Sequence, residues 1–369
     1  MKLAFVKQRY VPFGGGEAYL ASLMDAAAEV GHDVHVIASE WGNEQKFPFQ
    51  RHAAPINKFS RSSRVKSFAR SVSRVVEANN FDLVFSLERT LSQHVWRAGD
   101  CVYPRWLKQR ALYESWIKTL YNAVSPGQRA VVAMEARCVD QTPFIIANSE
   151  MIRDDLKATY PSLKAQVEVI RNGYDVDKFS LVKRDADRSV VRRELGIDER
   201  CPLLLFVGSG WRRKGLYELM QALPEFSGAK LVVLGRDAIN KWRTLARNLG
   251  VEKQVLFLPP RMDIEKFYHA ADLTVMASWY DSFGFVVLES LACGTPVVTS
   301  RFAGAHELIV PGLSGEVVSR PDALDEMRQA LAEGLKLTSA TAIAQSVAEY
   351  TLENNARKTL GMIERVAGS

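Results

Sequence analysis

Residues 281–298 read DSFGFVVLESLACGTPVV, and the order of residue types in this stretch decides the fold class. An acid opens it, a Ser-Phe-Gly turn follows, an apolar helix carries a second acid, and a Gly-Thr-Pro turn leads into a buried strand. With the turn at Ser282, Phe283 and Gly284, the helix begins near Phe285, and Glu289 lies one turn below Phe285 on the same face. Asp281 and Glu289, eight positions apart, are thereby set to meet one ligand. Gly284 lets the backbone come close to that ligand, and the free amides at the helix start favour an anion or a ring of hydroxyls.

The flanking sequence repeats the same alternation. Strands are expected at 203–207, 230–234, 255–258, 273–277 and 296–299, and helices at 216–223, 238–249 and 264–270, which makes a parallel sheet covered on both faces. The loop GSGWRRKG (208–215) leaves the first of these strands with Gly208, Arg212, Arg213 and Lys214 just where a helix begins, a placement suited to a diphosphate. A dinucleotide fingerprint needs a third glycine at 213, where this chain has arginine, so nicotinamide and flavin binding find little support. The alternative for this loop is a solvated basic turn. Arg261 follows the strand 255–258 at the same sheet edge, as a ligand contact or as a plain loop cation.

The first half opens with LAFV (3–6), a buried strand, followed by a glycine turn, a helix ended by Gly31, and a strand at 34–38. Three consecutive glycines, Gly14, Gly15 and Gly16, exceed what a turn requires and point to phosphate contact at a strand-to-helix junction; a tight turn alone is the other reading. Further strands are expected at 81–87, 144–147 and 167–170, and helices at 64–79, 131–137 and 151–160. Asp100, in VWRAGDCVY (95–103), is either a turn residue or a catalytic acid. Residues 104–129 combine Trp106, Tyr113, Trp116 and Tyr121 with Arg105, Lys108, Arg110 and Lys118 along an expected helix. That mixture suits an anionic membrane surface, or else the rings are core and the charges solvated. Regularity fails over 174–201 except for a short helix near 190–195, which marks the domain boundary.

The chain has 369 residues and a net charge of +6, enough for two domains with real cores. Between residues 51 and 129 there are 14 Lys and Arg against 5 Asp and Glu, so the basic excess sits in the first half and implies an anionic partner: a phospholipid surface, a phosphorylated glycan or nucleic acid. No apolar run reaches the roughly 18 residues of a membrane span and no cleavable signal is apparent, so a cytoplasmic location is expected. The four cysteines, Cys101, Cys138, Cys201 and Cys293, lack metal spacing. Neither a G-x-S-x-G elbow nor an H-E-x-x-H pair occurs, which removes serine-hydrolase and zinc-hydrolase chemistry. Cations for a phosphate leaving group and carboxylates for hydroxyls are what moving a sugar from a nucleotide requires.

In PFGGGE (12–17), IRNGYDVDKF (170–179), VGSGWRRKG (207–215) and the acid-x7-acid unit ending in CGTPVV (293–298), the chain resembles the retaining glycosyltransferases of family 4 over nearly its whole length. The PFGG start, DCVY (100–103) and the aromatic, basic segment after it are most similar to the glucosyltransferases that extend the lipopolysaccharide core. The resemblance implies an α/β protein of GT-B fold, two Rossmann-like doubly wound parallel-sheet domains facing across a cleft. Residues 1–173 would bind the acceptor, with a C-terminal helix at about 350–369 packing back on them, and 174–349 would bind the nucleotide sugar.

By the same resemblance, Glu289 holds the ribose hydroxyls, and Asp281 with the amides of Ser282, Phe283, Gly284 and Phe285 holds the donor sugar. Arg213 and Lys214 stabilise the departing diphosphate, Gly15 and Gly16 approach the phosphates from the other domain, and backbone near Arg261 meets the base. Asp100 is the acid nominated to touch the acceptor. No metal and no cofactor are expected; the partners are a nucleotide sugar, most simply UDP-glucose, a lipid-linked or lipopolysaccharide-core glycan, and an anionic membrane surface contacted by residues 105–121, with no nucleic acid. The enzyme is expected to be peripheral on the inner face of the cell membrane. One departure stands out: family members usually carry Glu as the first acid, and Asp281 is shorter by one methylene, roughly 1.5 Å of reach, so the donor sugar turns on this position. A sugar-nucleotide epimerase or hydrolase of the same fold, and a basic nucleic-acid binder, are the alternatives.

Overall fold

The structure is a computed structural model and describes residues 1–10, 15–42 and 49–368. The chain divides into two compact units, Met1–Gly173 with Leu352–Ser369, and Tyr174–Thr351.

Unit 1 begins with β1 (Lys2–Val6), whose Leu3 and Phe5 join one core layer while Ala4 and Val6 join another. Successive side chains of a strand point to opposite faces, so a strand buried on both has no polar position, and LAFV is unbroken for that reason. There follow β2 (Arg9–Tyr10), α1 (Gly15–Glu29), β3 (Asp33–Ala38), β4 (Glu40–Trp41), β5 (Gln50–Ala53), α2 (Arg61–Asn79), β6 (Leu83–Ser86) and β7 (Val95–Ala98). The unit continues with α3 (Tyr103–Ala111), α4 (Trp116–Val124), α5 (Pro126–Gln141), β8 (Phe144–Ala147), α6 (Glu150–Thr159) and β9 (Gln166–Val169). Seven strands make one sheet in the order β5-β3-β1-β6-β7-β8-β9, all parallel.

Unit 2 contains α7 (Arg184–Leu195), β10 (Leu203–Val207), α8 (Leu216–Ala222), β11 (Lys230–Leu234), α9 (Ile239–Asn248), β12 (Val255–Leu258), α10 (Ile264–Ala270) and β13 (Leu273–Met276). Next come α11 (Phe285–Ala292), β14 (Val297–Ser300), β15 (Gly315–Val318), α12 (Leu324–Gly334) and α13 (Ala340–Gln345). Its six strands run β12-β11-β10-β13-β14-β15, again all parallel. The last helix, α14 (Leu352–Ala367), returns to unit 1 and puts Leu360, Met362 and Ile363 into the core layer that holds Leu20, Leu23 and Met24 of α1.

Within each sheet the chain first adds strands on one side of its opening strand and then crosses to the other. The crossing falls between β1 and β6 in unit 1 and between β10 and β13 in unit 2. Beyond the carboxyl ends of two such strands the connections diverge and leave a crevice where ligands bind.

Two expectations are corrected. Residues 104–129 are not one helix but α3, α4 and the start of α5. Pro126 holds Ser125 in an extended conformation, φ −61° and ψ 122°, as the residue before proline is held generally, and Ser115 is likewise extended. The short helix near 190–195 runs from Arg184, and what hid it is its charged packing face: Arg192 is 1% exposed and donates to Asp272 at 2.6 Å, and Arg188 reaches the same carboxylate at 2.9 Å.

The aromatic segment divides as well. Tyr103 is buried and Gln109 of α3 with it, whereas α4 buries none of its residues. Trp116, Ile117, Leu120, Tyr121 and Val124 form an exposed stripe, with Trp116 75% and Leu120 58% exposed.

Candidate functional site

The cations of 208–215 and the acids of 281–298 meet at the β10/β13 crossing. Trp211 is what fixes the first loop. Its ring is fully buried, stacked on Phe257 at 5.4 Å and edge-on to Trp242 at 5.8 Å. Its indole N–H donates to the Gly208 carbonyl at 2.7 Å and its amide to Asp237 at 2.9 Å. A ring of this size anchored on both sides holds the next three residues in one conformation. Arg212 turns away and pairs with Glu218 at 2.5 Å, a carboxylate that also accepts from the Trp279 indole at 3.2 Å, so its role is structural. Arg213 and Lys214 point to Asp281.

Arg213 Nη1 lies 3.0 Å from Asp281 Oδ2 and 2.9 Å from the Tyr280 carbonyl, and Lys214 Nζ lies 3.6 Å from the same Asp281 oxygen. The Lys214 chain runs over Gly208, where a Cβ would fall 2.8 Å from its Cε; the loop glycine makes room for the lysine. Burial depresses the Lys214 ammonium, and Arg213 adds to this, against the opposing charge of Asp281 and, more weakly, Glu289. For Asp281 burial acts upward, but Lys214, Arg213 and the Phe283 amide outweigh it and hold the carboxyl below its usual range. Two cations on one carboxylate leave net positive charge for an incoming anion.

Gly284 precedes α11 in the left-handed region, φ +94°, and a Cβ there would sit 2.4 Å from Met276 Cε. The glycine is therefore required by backbone conformation and by packing on β13, a reason the sequence did not show. Phe283 is a core side chain, edge-on to Phe285 at 5.7 Å, and its backbone is engaged as well, the amide donating to Asp281 and the carbonyl accepting from the Ala305 amide at 2.7 Å.

One turn into α11, Glu289 Oε2 accepts a 2.8 Å hydrogen bond from the Tyr268 hydroxyl of α10. Burial pushes the Glu289 carboxyl above its usual value, opposed by Tyr268, Lys178 and Lys214; Tyr268 is pushed well up in turn. Tyr268 and Trp211 were missed by sequence reasoning. Tyr268 stands 21 residues before Glu289 on another helix, and no spacing rule joins them; the tryptophan inside a basic glycine loop was the available signal for the other. Arg261 is engaged elsewhere, with Asp263 at 2.9 Å and Glu194 at 3.2 Å.

In unit 1, Gly15 and Gly16 open α1, and a Cβ on Gly16 would meet nothing within 4 Å; Gly14 lies outside the described residues. Asp100 lies past β7, 74% exposed at its side chain and 3.3 Å from Arg89. It lines a cavity of about 420 Å³ with Gln8, Glu88, Arg89, Arg61, Arg64 and Trp106 among others, at the β1/β6 crossing. Glu88, just past the end of β6, accepts from the Gln8 amide at 3.1 Å and faces Lys7 at 3.7 Å. Its carboxyl is pushed up by burial, which Lys7 opposes and Asp100 reinforces.

Among the described residues no group of three or more His, Cys, Asp and Glu is placed to hold a metal ion, and no helix is long and apolar enough to cross a membrane.

Two doubly wound units with a ligand crevice in each are the architecture of the GT-B glycosyltransferases. Comparisons with known proteins agree: the Glycosyltransferase Family 4 model matches residues 13–178 and the Glycosyl transferases group 1 model matches residues 187–350. The D-inositol 3-phosphate glycosyltransferase of Corynebacterium urealyticum (strain ATCC 43042 / DSM 7109) is 30% identical over 308 residues, 76% of this chain and 70% of the relative. Lipopolysaccharide glucosyltransferase WaaG of Escherichia coli (strain K12) is 25% identical over 340 residues, 91% of this chain and 90% of the relative. The crystal structure of WaaG, a glycosyltransferase involved in lipopolysaccharide biosynthesis, aligns with a TM-score of 0.80 at 24% identity over 98% of this chain and 99% of that one. The crystal structure of Anabaena Alr3699/HepE in complex with UDP and glucose aligns at 0.70 with 19% identity over 99% of each chain. The chain belongs to the family 4 glycosyltransferases and has their GT-B fold.

Proposed function

We propose that this glycosyltransferase moves a hexose, with retention of anomeric configuration and without a metal ion, from a nucleotide diphosphate sugar to a lipid-linked glycan of the lipopolysaccharide-core kind. The observation that carries the reading is the convergence of Arg213 and Lys214 on Asp281, with Lys214 also within electrostatic range of Glu289. Glu289, held by Tyr268, accepts the ribose hydroxyls. Asp281, braced by the Phe283 amide, and the amides of Ser282, Gly284 and Phe285 take the sugar, Arg213 and Lys214 take the diphosphate, and backbone beside Arg261 takes the base. By the resemblance alone, Gly15 and Gly16 approach the phosphates.

The bond from the anomeric carbon to the phosphate oxygen breaks as the bond to the acceptor oxygen forms on the same face, and the acceptor proton passes to the departing phosphate. Negative charge grows on that phosphate in the transition state, and two preorganised cations in a site poor in water lower the barrier there. Asp100 accepts a hydrogen bond from the acceptor. UDP-glucose is the proposed donor, supported by the complex of HepE with UDP and glucose and by the glucosyltransferase name of WaaG.

The exposed α4 stripe, flanked by exposed Lys108 and Lys118, suits the inner face of an anionic membrane. Arg105 and Arg110 contribute less than the sequence suggested, because they pair with Asp155 at 3.3 Å and Glu114 at 2.7 Å.

A panel of nucleotide sugars screened by thermal shift tests the donor, since a true donor stabilises the fold by mass action; NMR of the product then reads its anomeric configuration. An inverted product overturns retention. Release of free hexose as fast without acceptor as with it turns the assignment to a hydrolase.

A further inference from the structure

We infer that the unit 1 cavity binds an anionic group carried on the acceptor sugar, a phosphate monoester or a carboxylate, between Arg61 and Arg64. The inference rests on the acceptor reading proposed above. The cavity's size, about 420 Å³, falls within the range of small-molecule sites, and its three guanidiniums are not equivalent. Arg89 is spent: it donates to Glu135 at 2.7 Å, to Asp100 at 3.3 Å and to the Cys101 carbonyl at 2.8 Å. Arg61 has neutral partners, the Gln128 side-chain oxygen at 3.2 Å and the Tyr103 hydroxyl, lies over the Tyr103 ring at 5.4 Å, and forms no ion pair among the described residues. Arg64 forms no ion pair among the described residues.

Both arginines stand in the first turns of α2, whose amino end is already closed by a Ser60–Ser63 capping box. Spaced three apart, they share one helix face and repel each other, and the positive end of a 19-residue helix lies beneath them. An oxyanion between two guanidiniums relieves that repulsion and matches their planar donor geometry. The remaining walls suit the rest of a sugar. Trp106, beside the buried Tyr103 with ring centres 5.3 Å apart at 30° and with Arg110 over it at 4.9 Å, lines the wall with its exposed edge, while Glu88 and Asp100 accept hydroxyls. A neutral sugar would use Trp106 and the carboxylates and leave the cations with water.

Binding to the full chain is measured by calorimetry with three probes: mannose, mannose 6-phosphate and glucuronate. At least one anionic sugar should bind tenfold or more tightly than mannose, about 1.4 kcal/mol. The Arg61→Gln/Arg64→Gln double variant should lose that preference while keeping its affinity for mannose and its melting temperature, and Arg64→Lys should retain part of it. Equal binding of all three probes, or a preference that survives the double variant, overturns the inference. So does a variant that keeps the sugar preference but no longer binds phosphatidylglycerol vesicles, because the arginines would then serve lipid headgroups. These measurements need no donor. Absence of transfer from any nucleotide sugar would sink the donor assignment and leave the anion subsite standing, whereas loss of the sugar preference with transfer intact would remove the subsite alone.

Discussion

Lys214 is the residue on which the proposed donor chemistry turns. It is nearly buried, its ammonium is depressed chiefly by that burial, and Asp281 is the nearest charge that holds it protonated. Lys214→Ala is expected to lower turnover at least tenfold with the fold intact, more than about 1.4 kcal/mol of barrier. Near-normal turnover, measured as nucleotide release, would sink the phosphate role. Glu289 yields a pH prediction. Its carboxyl is already raised by burial, and the Tyr268 hydroxyl opposes that rise by donating to the ionised form. Tyr268→Phe removes the opposing bond, so Glu289 holds its proton to a higher pH. The acid limb of nucleotide affinity should move upward in pH, with little change on the alkaline side. A uniform loss at all pH values would make Tyr268 a packing residue only.

At the scale of elements, α4 and α11 show two ways in which an apolar helix can be read. In α11 the residues are buried nearly all round, and the two turns at its ends, together with its single acid, made both helix and site legible. In α4 the same apolar content faces solvent, and the sequence left core and membrane open because aromatic residues serve either. The break at Ser125–Pro126 detaches α4 from α5 and exposes its stripe. Ile117→Glu/Leu120→Glu should abolish flotation with anionic vesicles at low salt. Each side chain stands to lose about 1.5–3 kcal/mol of burial in the membrane, whereas substitutions at exposed sites usually change stability by no more than about 0.5 kcal/mol. Undiminished flotation with an unchanged melting temperature would reject the membrane role of α4.

For the whole molecule, the C-terminal helix ties the end of the chain to its beginning. Ala356, Leu360, Met362 and Ile363 of α14 are buried, three of them in the core layer of α1, and loss of each such residue costs about 2–5 kcal/mol. Together they approach the about 5–15 kcal/mol that holds a typical domain folded. Deleting residues 352–369 should therefore strip hydrogen-exchange protection from the β1 and β3 amides of unit 1 while those of β10 and β11 in unit 2 keep theirs. Protection retained in unit 1 would show that α14 is dispensable. The sequence by itself determined the two alternating halves and most strand positions, and it singled out Asp281, Glu289, Arg213 and Lys214 as candidates, because apolar periodicity and glycine-bounded loops are local signals that survive without coordinates. Only the tertiary structure decided which of three adjacent cations face the acid, that Tyr268 braces Glu289, and that Glu88, Asp100 and the α2 arginines share a cavity. Those facts depend on which strands cross at the middle of each sheet, and such crossings join residues by pairings far apart in the chain.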